Sequence, residues 1–308
     1  MISKINSILK QIAIEHNIYF TGICSPQLNY EEKEKLNSFL DLNNYKVLDY
    51  IIKTFNYRVN ILSLYPWTRS IIFFLFPYYP HLKKNFADYL LSYYTFGDDY
   101  HLVIKKTIKK VIDTFKSKIN IDFKFKIFCD SSPILEKIYA YKAGLGWIGK
   151  NTLLINKHIG SFFFIGGFLT DLSLDTDIPY NYTCPENCTL CIDACPTKAL
   201  YSPFTLDPSK CISYQTIENK TNKYFNNTPY IAGCDLCQLV CPFNQNITNN
   251  LNVYFKPREY VFWNNKQWES LIEENFNNYF KNSTIKRIKF FFLKRNIFHA
   301  KNLIFEKN

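Results

Sequence analysis

Apolar positions recur with two different periods over the first 180 residues, and together they predict a mixed α/β region. In residues 5–16, Ile5, Ile8, Leu9, Ile12 and Ile14 fall at helical spacing. Residues 100–119 extend the same pattern, with Val103, Ile104, Ile108, Val111, Ile112 and Phe115 on one side. Lys105, Lys106, Lys109 and Lys110 occupy the other side, and such a basic face is more often solvated than ligand-binding. Residues 71–76 form a continuous apolar run stopped by Pro77, which predicts a buried strand. Residues 125–128 and 162–165 are further strand candidates. From about 179 to 250 neither period is strong and turn residues dominate, whereas 251–308 returns to helical patterns rich in aromatics. These shifts divide the chain into 1–180, 181–250 and 251–308.

The composition narrows the class. Apolar residues make up 47% and charged residues 20% of the 308, which suits a folded chain and not a disordered one. No window reaches the ~18 consecutive apolar residues of a membrane helix. The first residues lack an apolar core followed by small residues, so no export signal is expected and a cytoplasmic, non-membrane protein is. The 37 Lys and Arg against 26 Asp and Glu leave a net charge of +11, which favours a polyanionic partner such as nucleic acid. An AT-rich coding bias would raise Lys, Asn, Ile, Phe and Tyr in the same way. Residues 281–301 concentrate the charge, with Lys281, Lys286, Arg287, Lys289, Lys294, Arg295 and Lys301 and no acid.

Cysteine is the most informative residue type. Eight of the ten fall between 184 and 241, while Cys24 and Cys129 lie in apolar surroundings that suggest the core. Without an oxidising compartment, such a cluster points to metal rather than disulfides. One run is Cys184-x3-Cys188-x2-Cys191-x3-Cys195-Pro196; the other is Cys211, then Cys234-x2-Cys237-x3-Cys241-Pro242. Two runs ending in Cys-Pro are the bacterial ferredoxin arrangement, in which the last cysteine of one run reaches the other run's 4Fe–4S cluster. The expected sets are Cys184, Cys188, Cys191 and Cys241 for cluster one, and Cys195, Cys211, Cys234 and Cys237 for cluster two. Two zinc ions would also use eight cysteines. The departure is Cys184-x3-Cys188, one residue longer than the usual run.

Six of the nine glycines lie between 144 and 167. In residues 143–152 (Ala-Gly-Leu-Gly-Trp-Ile-Gly-Lys-Asn-Thr), their density predicts backbone packed against something flat, or else a tight turn between helix and strand. The spacing is not that of a Walker phosphate loop.

Five motifs then carry a resemblance. They are 130–136 (Asp-Ser-Ser-Pro-Ile-Leu-Glu), 143–154, 191–197 (Cys-Ile-Asp-Ala-Cys-Pro-Thr), 211–218 (Cys-Ile-Ser-Tyr-Gln-Thr-Ile-Glu) and 233–244 (Gly-Cys-Asp-Leu-Cys-Gln-Leu-Val-Cys-Pro-Phe-Asn). With Arg58 and Pro66, Asp99-Tyr100-His101 and Lys294-Arg295-Asn296, the chain resembles the epoxyqueuosine reductases over most of its length. Longer members carry a C-terminal helical-repeat extension, and the short form without it is what is expected here. The resemblance implies an α+β fold: a cobalamin-binding three-layer α/β domain (1–180), a ferredoxin-like two-cluster module (181–250) and a short basic helical region (251–308). It implies reduction of the epoxide of epoxyqueuosine at the tRNA wobble position, by cobalamin and two 4Fe–4S clusters, in a monomer fed by an unidentified low-potential electron donor.

The family's proton-donating aspartate falls on Asp130. Burial beside the corrin is expected to raise its pKa; read without the resemblance, Asp130 is a helix N-cap. Arg58, Tyr100, Asp130, Trp147, Lys150, Asn151, Thr152, Leu154 and Ser213 are the expected cobalamin contacts, with core packing the alternative for Trp147. His101 is read as a surface helix residue rather than a cobalt ligand. Lys286, Arg287, Lys289, Lys294 and Arg295 are the expected tRNA backbone contacts. The other functions considered are a reductive-dehalogenase-like reductase of a small molecule, a non-catalytic iron–sulfur electron carrier, and a zinc-stabilised RNA-binding protein.

Overall fold

The computed structural model describes residues 2–30, 47–80, 82, 88–221, 227–245, 247 and 253–305. Its frame is built from α1 (Ile2–Glu15), β1 (Phe20–Cys24), β2 (Ser70–Pro77), α2 (Tyr100–Ile119), β3 (Phe125–Phe128), α3 (Glu136–Lys142) and β4 (Phe163–Thr170). The four strands form one sheet in the order β1-β2-β4-β3, with every neighbouring pair antiparallel.

Strand β2 shows why residues 71–76 are apolar at every position. Ile72, Phe74 and Phe76 point into the core shared with Leu9 and Ile12 of α1 and Ile104, Ile108 and Ile112 of α2. Ile71, Phe73 and Leu75 alternate onto the opposite face, against Ile61 and Tyr139 and Ala140 of α3. Side chains alternate across a strand, so a strand covered on both faces has no position left for a polar residue. The result is three layers. Helix α2 has the span its periodicity predicts, opening on the Asp99 side chain, which accepts from the His101 N–H, and closing on a left-handed Asn120.

Residues beyond 251 do not build a core of their own. Tyr260, Trp268, Phe280 and the buried face of α4 (Phe290–Phe305) join the same cluster as Leu9 and Ile72. Helix α4 packs on a short strand, Tyr230–Ala232, that pairs in parallel with Leu90–Leu91. At that junction Asn296 is completely buried and its amide donates to the carbonyls of Thr216 (2.8 Å) and Ile231 (2.9 Å). No helix among the described residues is long and apolar enough to cross a membrane.

Asn296→Ala leaves two buried carbonyls without a donor. It is expected to destabilise the protein by about 1–3 kcal/mol, which denaturant unfolding followed by circular dichroism will measure. An unchanged midpoint would mean that α4 is held by its apolar face alone.

Candidate active site and metal centres

The cysteine module has little regular structure: Leu190–Asp193, Leu236–Leu239 and Pro242–Gln245 are helices of four residues each. Cys184, Cys188, Cys191 and Cys241 line one cavity, together with Lys150, Asn151 and Ile155. Burial pushes the Cys191 thiol up to about 11, and the neighbouring Cys184, Cys188 and Cys241 add to the effect. A second set lies beside the first. Burial pushes the Cys237 thiol well up, as do Cys234 and Cys211, and Cys211 in turn feels Cys195. Cys191 is within electrostatic reach of Cys237, so the two sets adjoin.

Thiols crowded together in this way are stabilised as thiolates when a metal centre neutralises them. Among the described residues no three His, Cys, Asp or Glu side chains close on the point a single ion would occupy. The first four thiols instead stand around a cavity, which suits a polynuclear cluster.

The module is stitched to the sheet domain by buried polar groups. Asp235, between Cys234 and Cys237, accepts from the Ser92 hydroxyl (2.5 Å) and the Tyr93 N–H (2.8 Å). Asn244, three residues past Cys241, accepts from the Ser161 N–H (2.8 Å) and donates to the Ser161 hydroxyl (3.0 Å).

Asp130 lies just past the end of β3 in the left-handed conformation, φ 60°. It is not a helix N-cap: α3 begins after Leu135, and Glu136 in its first turn accepts from the Asp130 N–H at 2.6 Å. The Asp130 side chain is 64% exposed, while His101 behind it is 6% exposed. Asp130 Oδ2 accepts from the Tyr100 hydroxyl (2.6 Å) and faces His101 Nε2 (3.3 Å). His101 Nδ1 is 2.7 Å from Asp99 Oδ1, and Arg287 Nε is 3.4 Å from Asp99 Oδ2. The Tyr100 ring is stacked on Phe164 of β4, which fixes where its hydroxyl points.

In the open site, opposing effects act on the Asp130 carboxyl. Desolvation pushes its carboxyl up, but hydrogen bonds from His101 and Tyr100, with the charges of His101 and Arg287, outweigh it and hold it below the ordinary carboxylate range. Desolvation pulls His101 down, yet its bonds to Asp130 and Asp99 prevail and its pKa is raised. Glu136 is pushed well above its usual value by desolvation and by Asp130. Within the His101–Asp130 pair the two shifts favour the proton on His101.

The structure relocates several expected contacts. Arg58 is close to Asp130 and Glu136 in charge, and its guanidinium donates to Thr54 Oγ1 (2.9 Å). Thr152, at φ 65°, offers its carbonyl to Lys137 (2.7 Å). Ser213 lies on the Ile212–Ile217 helix that follows Cys211. Trp147 is turned inward instead, packed among Tyr180, Tyr182 and Phe243. Asn151 and Leu154 are buried, and Lys150 points into the cysteine cavity.

The glycines of this segment serve close approaches within the protein. A Cβ on Gly146 would sit 2.1 Å from the Ile155 carbonyl oxygen, and one on left-handed Gly144 2.5 Å from that of Ile178. Lys294 and Arg295 are tied inward: Lys294 donates to the Glu269 carbonyl (2.6 Å), and Arg295 to those of Gln215, Asn219 and Thr221, each at 3.0 Å. Lys281, Lys286, Arg287 and Lys289 are exposed.

His101 and Glu136 are the functional neighbours that the sequence reading passed over. Their signals were present: an Asp two residues ahead of a His at a helix start, and an acid six residues after Asp130.

Comparison with known proteins agrees with this geometry. Residues 184–244 match a family model described as a 4Fe-4S double cluster binding domain, and residues 58–131 match the model for epoxyqueuosine reductase QueG. The chain is 38% identical to the epoxyqueuosine reductase of Leadbetterella byssophila, over 96% of this chain and 98% of that one. It is 36% identical to that of Cyclobacterium marinum, over 98% of each. A crystal structure of an epoxyqueuosine reductase with an epoxyqueuosine-modified tRNA-Tyr stem loop superposes with a TM-score of 0.85 at 22% identity, covering 99% of this chain and 82% of that one.

A histidine NMR titration is expected to find His101 above 6.5 and to find it lowered in Asp130→Asn, which removes its strongest stabilising acceptor. The stability this raised histidine contributes is complete below its unfolded pKa and fades as pH rises through its folded one. An unmoved His101 would break the assigned coupling.

Proposed function

The chain belongs to the epoxyqueuosine reductase family, and from that membership we propose that it reduces epoxyqueuosine in tRNA to queuosine. It is an oxidoreductase acting on tRNA, with a cysteine module for two 4Fe–4S clusters. We assign Cys184, Cys188, Cys191 and Cys241 to one cluster and Cys195, Cys211, Cys234 and Cys237 to the other. The single observation that carries this reading is the exposed Asp130, backed by Tyr100 and His101, on the unit that also holds the two thiol sets.

Loss of the epoxide oxygen as water takes two electrons and two protons. Cobalamin, when bound, supplies the low-valent metal for the two-electron step, fed one electron at a time through the clusters from a low-potential donor. The site suits a cofactor that brings its own metal-binding ring. Both His101 nitrogens face carboxylates, and the groups around Asp130 are hydrogen-bonding ones, Arg58 and Tyr100 among them. Ser213 completes the contacts we propose.

The protein's own part is proton delivery. In the open site Asp130 is ionised and the proton is held by His101. Covering the cleft with cofactor and nucleotide removes water from Asp130, and desolvation favours a neutral carboxyl. The proton then passes along the His101–Asp130 contact to the side chain that faces the leaving oxygen. Tyr100 keeps the carboxyl aimed, and Asp99 orients the imidazole through Nδ1.

The wobble nucleotide reaches such a recess when it is extruded from the anticodon loop. Lys281, Lys286, Arg287 and Lys289 are the exposed cations of the basic stretch and the proposed phosphate contacts. Lys294 and Arg295 hold the fold together. We further propose a monomeric, cytoplasmic enzyme, as its tRNA substrate requires no second chain or membrane.

Asp130→Asn keeps the backbone conformation, since Asn tolerates the left-handed region. It is expected to retain iron content and cofactor spectra while losing turnover on epoxyqueuosine-containing tRNA; full activity would remove Asp130 from the reaction. Replacing Lys286 and Lys289 by Ala is expected to weaken tRNA binding and flatten its log–log salt dependence by roughly 0.7–0.9 per lost contact. An unaltered slope would place the tRNA on another face.

A further inference from the structure

Lys150 leaves the glycine-rich segment and enters the cavity lined by Cys184, Cys188, Cys191 and Cys241. The residue is 8% exposed. Its ammonium donates to three backbone carbonyls, those of Pro185 (2.9 Å), Glu186 (2.5 Å) and Cys188 (2.9 Å). A lysine ammonium has three donors, so these bonds exhaust it. Its own carbonyl accepts from the Phe204 N–H (3.0 Å), which anchors the backbone at this point to the Leu200–Leu206 hairpin.

The accepting residues sit in the stretch where this sequence departs from ferredoxin spacing. Cys184-x3-Cys188 contains one residue more than the usual run, and the loop turns three carbonyl oxygens towards one point. Such oxygens repel one another and are costly to bury without a donor. One cation that bonds all three removes both penalties and brings a positive charge to the rim of the thiol cavity.

We propose that Lys150 is a positioning residue for the first iron–sulfur cluster: it fixes the Pro185–Cys188 loop around the cluster and raises that cluster's reduction potential by its fixed charge. The proposal rests on the cluster assignment made above. Reduction adds one negative charge to the cluster, and a buried cation nearby favours the more negative form.

The test compares wild type, Lys150→Met and Lys150→Arg as reconstituted holoenzymes. Iron and sulfide are determined, both clusters are titrated potentiometrically by electron paramagnetic resonance, and iron loss to a chelator is timed. Lys150→Met is expected to lower the midpoint potential of one cluster, leave the other unmoved, and accelerate iron loss from the affected cluster roughly tenfold. Lys150→Arg, which keeps the charge, is expected to stay near the wild-type potential. Both potentials unchanged in Lys150→Met would overturn the proposal. Should Lys150→Met take up no iron, Lys150→Arg decides against Lys150→Gln. A wild-type potential in Arg with a lowered one in Gln supports the role, and equal potentials overturn it. Zinc without iron in the wild type would instead overturn the cluster assignment itself.

Discussion

Eight thiols cannot be gathered in a protein interior by loops that hold no shape of their own. The helices beside them are four to six residues long, too short to be stable alone. Their geometry is borrowed from the sheet domain through a few buried polar groups: Asp235 on Ser92 and Tyr93, Asn244 on Ser161, and Lys150 on three carbonyls. Each group crosses between segments far apart in the chain, so the module is rigid only while the sheet domain is folded. The order in which the structure depends on its parts runs from the two-faced strand β2, through these ties, to the metal centres.

The active site follows the same logic at smaller scale. Asp130 is exposed to the cleft yet anchored from three directions: its N–H on Glu136, its carboxylate on Tyr100, and the same oxygen beside His101. A carboxylate so solvated and so well bonded is a poor acid in the open site. In the mechanism proposed above it becomes one when cofactor and nucleotide cover it, because desolvation favours the neutral carboxyl.

Much of the fold was legible in the sequence. Residues 71–76 announced a doubly buried strand, and the periodicity of 100–119 gave the span of α2, because burial dictates composition where elements are long. The thiol sets were legible because cluster chemistry dictates spacing. What escaped was long-range. Nothing local to Lys150 indicates that it reaches carbonyls 35 to 38 residues away, or to Trp147 that it meets Phe243 edge-on. Local pattern made residues 251–308 look separate, whereas their aromatics close the first core. The direction of the Asp130 shift also escaped, since it depends on His101, and a histidine at a helix start reads as solvent-facing until the sheet is placed beside it.

That shared core has a consequence for how the chain is made. Leu293, Ile297 and Ala300 belong to the cluster that includes Leu9 and Ile12, so the hydrophobic interior is completed by a helix that follows every strand of the sheet in the chain. All eight module cysteines emerge from the ribosome before it. Between Cys241 and Ala300 lie 59 residues of translation, on the order of 3–12 s at roughly 5–20 residues per second. Helix α4 then packs on the strand Tyr230–Ala232 that leads into the second cysteine run. The support for that run is therefore completed only after all of its thiols have been made.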